Sequence, residues 1–271
     1  MESDNVLGAF LRARRELVRP EEVGLRSGGL RRVPGLRREE VALLAGISAE
    51  YYLRLERGRD RNPSAQVLDA LAAVLQLDAE SAAHLADLAR HRPRARVPRP
   101  VEEVPDGVRM LLDTLTVPAF VVNRYRDVLA ANRLAQALSP HMAPGENRLR
   151  ALFTDPKGPR SHPGWEENAA SLVAQLRAEV GADVDDPHLA ALVEELSLLS
   201  DRFRRLWARH DVQRGGSVTT VVRHPRFGDL ELRLEKFAVV GADRLLVVLY
   251  HAEPGSPAAE ALALLDAGTR V

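Results

Sequence analysis

The chain of 271 residues contains no cysteine. That absence removes disulfide frameworks, thiolate nucleophiles and cysteine-based zinc or iron-sulfur sites together, and it is what a reducing compartment permits. No apolar run approaches the roughly 20 residues that span a bilayer, and Met1-Glu2-Ser3-Asp4-Asn5 lacks the basic start of a signal peptide. A cytoplasmic protein, neither exported nor embedded in a membrane, is therefore expected. The eight histidines form no His-Glu-x-x-His or comparable ligand pattern, and neither a Gly-x-Ser-x-Gly elbow nor a Gly-x-x-x-x-Gly-Lys phosphate loop occurs. Gly28-Gly29 lies in a loop with no strand before it. Asp183, Asp185 and Asp186 stand ahead of Pro187, where acidic residues serve as caps and partners of the helix dipole. No catalytic residue, metal or cofactor is expected, and the chain reads as something other than an enzyme.

The formal net charge is zero, but it is unevenly spread. Residues 1–99 carry 18 arginines and no lysine against 14 acidic residues, and the remainder is acidic by the same margin of four. A mixed solvated surface explains an excess that small, so charge alone assigns no partner.

The length exceeds that of a usual single domain, and two folded units are expected. Leu7, Phe10, Leu11 and Leu17 fall at helical spacing, with Arg12, Arg14, Arg15 and Glu16 on the other face, and Pro20 ends this first helix. Residues 19–36 carry two prolines and four glycines and read as a long loop. Short helical pieces follow, broken at Gly46 and Gly58. A fourth helix is predicted from Asn62-Pro63-Ser64, with Asn62 as cap and Pro63 in the first helical position, burying Val67, Leu68, Leu71 and Leu75. Asp78 caps a fifth, with Leu85 and Leu88 inside. Prolines and arginines alternate from Arg92 to Pro105, which suits extended chain over packing. The boundaries that follow are 1–92 for the first domain, 93–105 for a linker and 106–271 for the second. The second domain mixes types. A helix near Gly107–Leu115 precedes two short strands, Val117–Asn123 and Asp127–Ala131; helices are predicted over Trp165–Glu179, Pro187–Leu199 and Asp201–His210; and three strands, Ser217–His224, Asp229–Phe237 and Arg244–His251, come last. This is an α+β order.

The most informative stretch is Arg38 to Gly58. Val41, Ala42, Gly46, Ile47, Tyr52 and Leu55 stand where a helix-turn-helix requires small or apolar residues. Ala42 is small where the second helix crosses, Gly46 makes the turn, and Ile47, Tyr52 and Leu55 lock the pair. Ser48 is the N-cap of a recognition helix over Ala49–Arg57. The run from Leu36 to Ser48, followed by Tyr51-Tyr52-Leu53-Arg54-Leu55-Glu56-Arg57-Gly58 and the Pro63-Ser64 helix, resembles the Cro/C1-type (XRE family) regulators over residues 7–90. The resemblance implies an all-α, five-helix, lambda-repressor-like domain that binds operator DNA as a dimer. It places Arg38, with Arg37 beside it, at backbone phosphate, and Ser48, Ala49, Glu50, Tyr51 and Arg54 at the major groove, where Arg54 would suit guanine and Glu50 cytosine. Arg57, Arg59 and Arg61 continue past the helix as phosphate contacts. Arg26, Arg31 and Arg32 in the loop either extend that surface or are simply solvated.

Phe203-Arg204-Arg205-Leu206-Trp207-Ala208-Arg209-His210-Asp211-Val212, the run from Arg223-His224-Pro225 to Gly228-Asp229-Leu230, and Ala252 to Pro257 resemble the MmyB-like (MltR-type) regulators. That resemblance implies a PAS-like C-terminal domain and a fatty-acid-like ligand. At Ala130-Ala131-Asn132 the chain has alanine where such proteins often carry an aromatic residue. Ordinary core packing explains the aromatic residues as well as a pocket does. For a long-chain ligand, the wall candidates are Phe120, Val122, Leu129, Phe153, Trp165, Leu172, Leu176, Phe203 and Trp207, with Arg205, Arg209 or His210 for a carboxylate. The expected protein is thus a DNA-binding transcriptional regulator that senses a small apolar molecule and acts as a homodimer on double-stranded DNA. A protein-interaction module, and an enzyme regulated by its N-terminal domain, are the alternatives.

Overall fold

A computed structural model describes residues 5–25, 33, 35–60, 62–90, 102–155, 164–180, 186–213, 216–242 and 245–269. Arg26, Arg31, Arg32, Arg61, Asp183, Asp185 and the linker up to residue 101 lie outside them. The chain forms two compact units. One comprises Met1–Ala95, Val173–Glu194 and Asp201–Arg214, and the other Arg96–Leu172, Glu195–Ser200 and Gly215–Val271. Two stretches from the later part of the chain, 173–194 and 201–214, thus belong to the compact unit of the N-terminal helices.

The first unit begins with five helices, α1 (Val6–Leu17), α2 (Arg38–Leu44), α3 (Ala49–Glu56), α4 (Ala65–Val74) and α5 (Ala79–Arg90). Their core is Phe10, Leu11, Leu36, Val41, Tyr52, Leu55, Leu71, Leu75 and Leu85, all fully buried or nearly so. Three of the helices end in the same way. Ile47 N–H bonds to Ala42 C=O, Arg59 N–H to Arg54 C=O and Leu77 N–H to Ala72 C=O, each across a residue with positive φ, namely Gly46, Gly58 and Gln76. These are Schellman closures, which satisfy the last carbonyls of a helix and turn the chain sharply. Asp78 caps α5 through Ser81 N–H at 2.8 Å.

Three expectations are corrected here. Ser64, not Asn62, caps α4 by accepting from Val67 N–H, which places Pro63 before the helix. Leu17 is exposed, and its neighbour Val18 enters the core in its place. Arg15, assigned to the solvent face, is buried. Within the long loop, Pro20–Val23 forms a 3-10 turn whose Glu22 carboxylate accepts from Arg19 N–H.

The second unit is α+β. Helix α6 (Asp106–Thr114) is followed by β1 (Ala119–Val122), β2 (Val128–Ala131), α7 (Arg133–Leu138) and α8 (Arg148–Thr154). Helices α9 (Trp165–Val180), α10 (Pro187–Leu199) and α11 (Asp201–Ala208) come next, then β3 (Val218–His224), β4 (Gly228–Ala238), β5 (Leu246–His251) and α12 (Pro257–Thr269). The antiparallel sheet has the order β2-β1-β5-β4-β3. Its two faces follow the period of two. Phe120, Val122, Leu230, Leu232, Val248 and Tyr250 join α7 and α12 in one core, while Ala119, Val121 and Val247 join Val104 and Leu112 in the other. The strands match the sequence reading, whereas α12 is an addition to it. Among the described residues, no helix is long and apolar enough to cross a membrane.

Asn132 ties this unit together. Its Oδ1 accepts from Ala135 N–H at 2.9 Å, capping α7, and from Ala119 N–H at 3.1 Å, while its Nδ2 donates to Val117 C=O at 2.8 Å. Asn132→Ala is expected to lower the unfolding free energy by about 2–4 kcal/mol, a lost cap plus buried groups left unpaired. Urea titration checks this, and a loss below about 0.5 kcal/mol, the scale of an ordinary surface change, would show that the side chain holds nothing.

Candidate nucleic-acid interface

Helices α2 and α3 form the helix-turn-helix. Val41 and Ala42 of the first and Tyr52 and Leu55 of the second are buried, and Ile47 packs against the same core from the turn. Gly46 sits at φ +68°, a left-handed conformation that a side chain would strain. Ser48 Oγ accepts from Tyr51 N–H at 3.1 Å, which starts α3 as the sequence predicts. At the head of α2, Arg37 N–H donates to the Glu40 carboxylate at 2.7 Å, so Arg37 contributes its backbone to the cap and keeps its side chain exposed.

The placement of α3 rests on a residue that the sequence reading did not single out. Glu56, at the end of α3, is fully buried. Its carboxylate accepts from Arg15 Nε of α1 at 2.6 Å and from Arg38 Nε of α2 at 2.5 Å. Its backbone carbonyl accepts from Asn5 Nδ2 at 2.7 Å, and Asn5 also caps α1 by accepting from Gly8 N–H. Gly8 has no side chain for a steric reason: a Cβ there would collide with the Glu56 carbonyl oxygen. Arg15 in turn donates from NH1 to Leu36 C=O at 2.8 Å, and Leu36 N–H returns a bond to Arg15 C=O at 3.1 Å. One residue thereby fixes α3 against both neighbouring helices. Burial, and then the Glu56 charge, hold the Tyr52 phenol well above its ordinary range, so this core hydroxyl stays neutral.

Arg38 has a second consequence. Its hydrogen bond to Glu56 raises the guanidinium above its ordinary value, yet the side chain remains 44% exposed. Only Nε is committed; the two amino groups have no partner among the described residues. A guanidinium gripped at Nε presents those amino groups in a fixed plane, the geometry that suits a phosphate.

Along α3, Ala49, Glu50 and Arg54 are exposed and Tyr51 is half-buried. Arg54 lies 3.6 Å from the Glu50 carboxylate and 5.5 Å from the centre of the Tyr51 ring. The two groups expected to meet bases are thus paired with each other, one turn apart. Arg57 and Arg59 are exposed beyond the helix, whereas Arg61 lies outside the described residues.

The ligand-wall candidates are divided between the two compact units, and within the sheet-containing unit they lie on both faces of the sheet. Phe120 and Val122 face α7 and α12, with Phe120 stacked on Tyr250 at 6.1 Å, while Leu129 packs in the core of the opposite sheet face. Phe153 and Trp165 meet edge to face at 6.0 Å, and Trp165 Nε1 donates to Leu152 C=O; Leu172 is half-buried in the same unit. Leu176, Phe203, Arg205, Trp207 and His210 belong to the other unit. There Leu176 and Phe203 are fully buried, and Arg205 and Arg209 are exposed. His210 lies past the end of α11, not within it, at φ +55°. Among the described residues, no group of three or more metal-binding side chains comes together.

Glu56→Ala is expected to cost about 3–5 kcal/mol of stability, because it removes the buried carboxylate at 2.6 Å from Arg15 and leaves it only the half-exposed Glu16, 3.6 Å away. Arg38→Ala should cost only about 1 kcal/mol, since Arg38 is half in water and Arg15 still neutralises Glu56. Parallel urea titrations of the two variants test this, and equal losses would refute the ranking.

Comparison with known families agrees with these two regions. Residues 6–85 match a helix-turn-helix domain family. Residues 104–265 match the MmyB-like transcription regulator ligand binding domain. No curated protein matches the chain significantly. The second match alone covers more than half of the sequence, and the chain belongs to the MmyB-like transcription regulators, joining a ligand-binding domain to a DNA-binding helix-turn-helix.

Proposed function

We propose that the protein binds operator DNA sequence-specifically as a homodimer, and that a small apolar, fatty-acid-like molecule in its C-terminal domain changes that binding. The observation that carries the DNA reading is the exposed cationic face built by Arg37, Arg38, Arg54, Arg57 and Arg59 around α3, with Arg38 already aimed by buried Glu56. Arg38, Arg57 and Arg59 take the phosphate role, and Ser48 and Ala49 bring the start of α3 close to the duplex. Arg54 and Glu50 take the base-reading role. They begin as an exposed pair held only loosely in water, so exchanging each other for guanine and cytosine edges costs little. Dimerisation follows from the motif class, in which two reading heads span half-sites about 34 Å apart.

An apolar ligand is supported by the composition of the C-terminal cores and by the resemblance of the 203–212 region to fatty-acid-associated regulators. A PAS-like description of that domain is supported by the five-stranded antiparallel sheet with helices inserted between β2 and β3. Phe120, Val122, Phe153, Trp165 and Leu172 are the proposed ligand contacts in the sheet-containing unit.

The test begins by selecting bound duplexes from a random pool with the full chain, then titrating variants against the selected sequence. Arg57→Ala and Arg59→Ala should weaken all sequences alike and reduce the salt slope by about 1 each. Arg54→Ala should instead relax the preference at one base position, at a cost of about 1–3 kcal/mol there. Failure to enrich any sequence would refute the operator reading. Native mass spectrometry of the same protein, releasing a lipid-like species or none, decides the ligand class.

A further inference from the structure

Residues 201–214 fall inside the ligand-binding match, yet they are built into the compact unit of the DNA reader. Helix α11 ends at Ala208, and the chain then reverses. Arg209 N–H donates to Leu206 C=O, and His210 takes up φ +55°, a conformation that is uncommon for a residue with a side chain. The reversal turns Asp211 onto α1. Its Oδ1 accepts from Arg14 NH1 at 2.6 Å and its Oδ2 from Arg209 Nε at 2.7 Å. Val212 then enters the core formed by Phe10, Leu11, Leu85 and Leu88, and Gln213 N–H bonds to Ala174 C=O of α9.

The reversal is fastened from α9 as well. Buried Arg177 donates from NH2 to Trp207 C=O at 2.6 Å, lies 3.8 Å over the Trp207 ring and approaches His210 Nδ1 at 3.1 Å. Among the described residues no carboxylate bonds to Arg177, and burial draws its guanidinium down to about 9. Desolvation first, and then the charge of Arg177, pull His210 down to about 3, so its imidazole is neutral and can accept at Nδ1. His210 also meets the Phe10 ring edge-on at 6.4 Å, and Phe10 meets His84 of α5 at 5.5 Å.

We propose that residues 209–213 are a latch by which the ligand-binding region acts on the DNA reader, with Asp211 on Arg14 as its grip. Arg14 is adjacent in α1 to Arg15, which holds Glu56 and with it the end of the recognition helix. Any rearrangement of α9 or α11 that moves the Trp207-His210 turn therefore pulls on the helix that positions α3. This mechanism rests on the reading of the chain as a ligand-responsive DNA regulator.

The test compares full-length wild type with Asp211→Asn, Arg14→Met and the double variant. Asp211→Asn is nearly isosteric and keeps the fold; if Arg14→Met fails to fold, Asp211→Asn carries the test alone. Amide hydrogen exchange without DNA should quicken severalfold over Leu11–Leu17 and over α3. Affinity for the DNA selected by wild type should fall about fivefold in each variant and no further in the double, the signature of a coupled pair. Unchanged exchange in α1 and unchanged affinity in Asp211→Asn would overturn the latch. If wild type binds no DNA, the operator reading fails while the exchange result still decides whether the latch holds α1.

Discussion

A carboxylate at full burial is the constraint on which the reading head depends. Removing an ion from water costs several kcal/mol even after relaxation, and the cost is recovered only by close, well-aligned counter-charges. Glu56 meets that requirement with two arginine Nε atoms at 2.6 and 2.5 Å, from two different helices. The α1 arginine is the one that cannot leave without uncovering the charge, since it is buried with Glu56, whereas the α2 arginine is half in water and adds a second, weaker tie. Asn5 and Gly8 reinforce it at the backbone. The amide of one bonds to the Glu56 carbonyl, and the bare Cα of the other lets α1 approach it. What reaches the exposed surface is the remainder of Arg38, held at Nε and with no partner for its amino groups among the described residues.

Much of this architecture was legible because it is encoded locally. Gly46 and Gly58 mark helix ends, since a left-handed residue is needed where the chain turns, and Ser48 and Asp78 announce helix starts through bonds to backbone two or three residues ahead. The strands declared themselves by alternation, as in Leu230, Leu232 and Leu234 against their charged neighbours. The Glu56 node was not legible. Arg15 and Glu56 stand 41 residues apart, and helical periodicity treats any arginine as a solvent-facing residue. Nothing local distinguishes an arginine that is solvated from one that neutralises a buried acid. The cap of α4 failed on a smaller scale: Asn62 and Ser64 both suit an N-cap, and Pro63 between them fits either choice. Helix α12 was missed because Ala258, Ala261 and Leu262 go inward while Leu264 stays exposed, which leaves little contrast between its faces.

The ligand wall was predicted by residue type, and residue type does not decide which core a side chain joins. Phe120 and Leu129 are both apolar strand residues, but they belong to opposite faces of the same sheet. Trp165 and Trp207 belong to different compact units although one helical stretch separates them. Aromatic residues are strong evidence of burial and weak evidence of company. Asn132 shows the converse: a polar residue beside two alanines is a structural tie, bonding to three backbone groups around β1 and α7.

Helix α1 contacts no base in the proposed complex, and it is still the element where the two activities of the regulator meet. Successive residues of a helix point about 100° apart, so Arg14 and Arg15 leave the same turn for different partners. Arg15 goes inward to Glu56, and Arg14 goes to Asp211 in the segment that the family assigns to ligand binding. The inward ion pair is dry and expensive to break, whereas Arg14 and Asp211 are partly in water, with side chains 16% and 32% exposed. That inequality suits a transmitter. The contact that must never release is buried, and the contact that can exchange with solvent is the one placed toward the segment that would move.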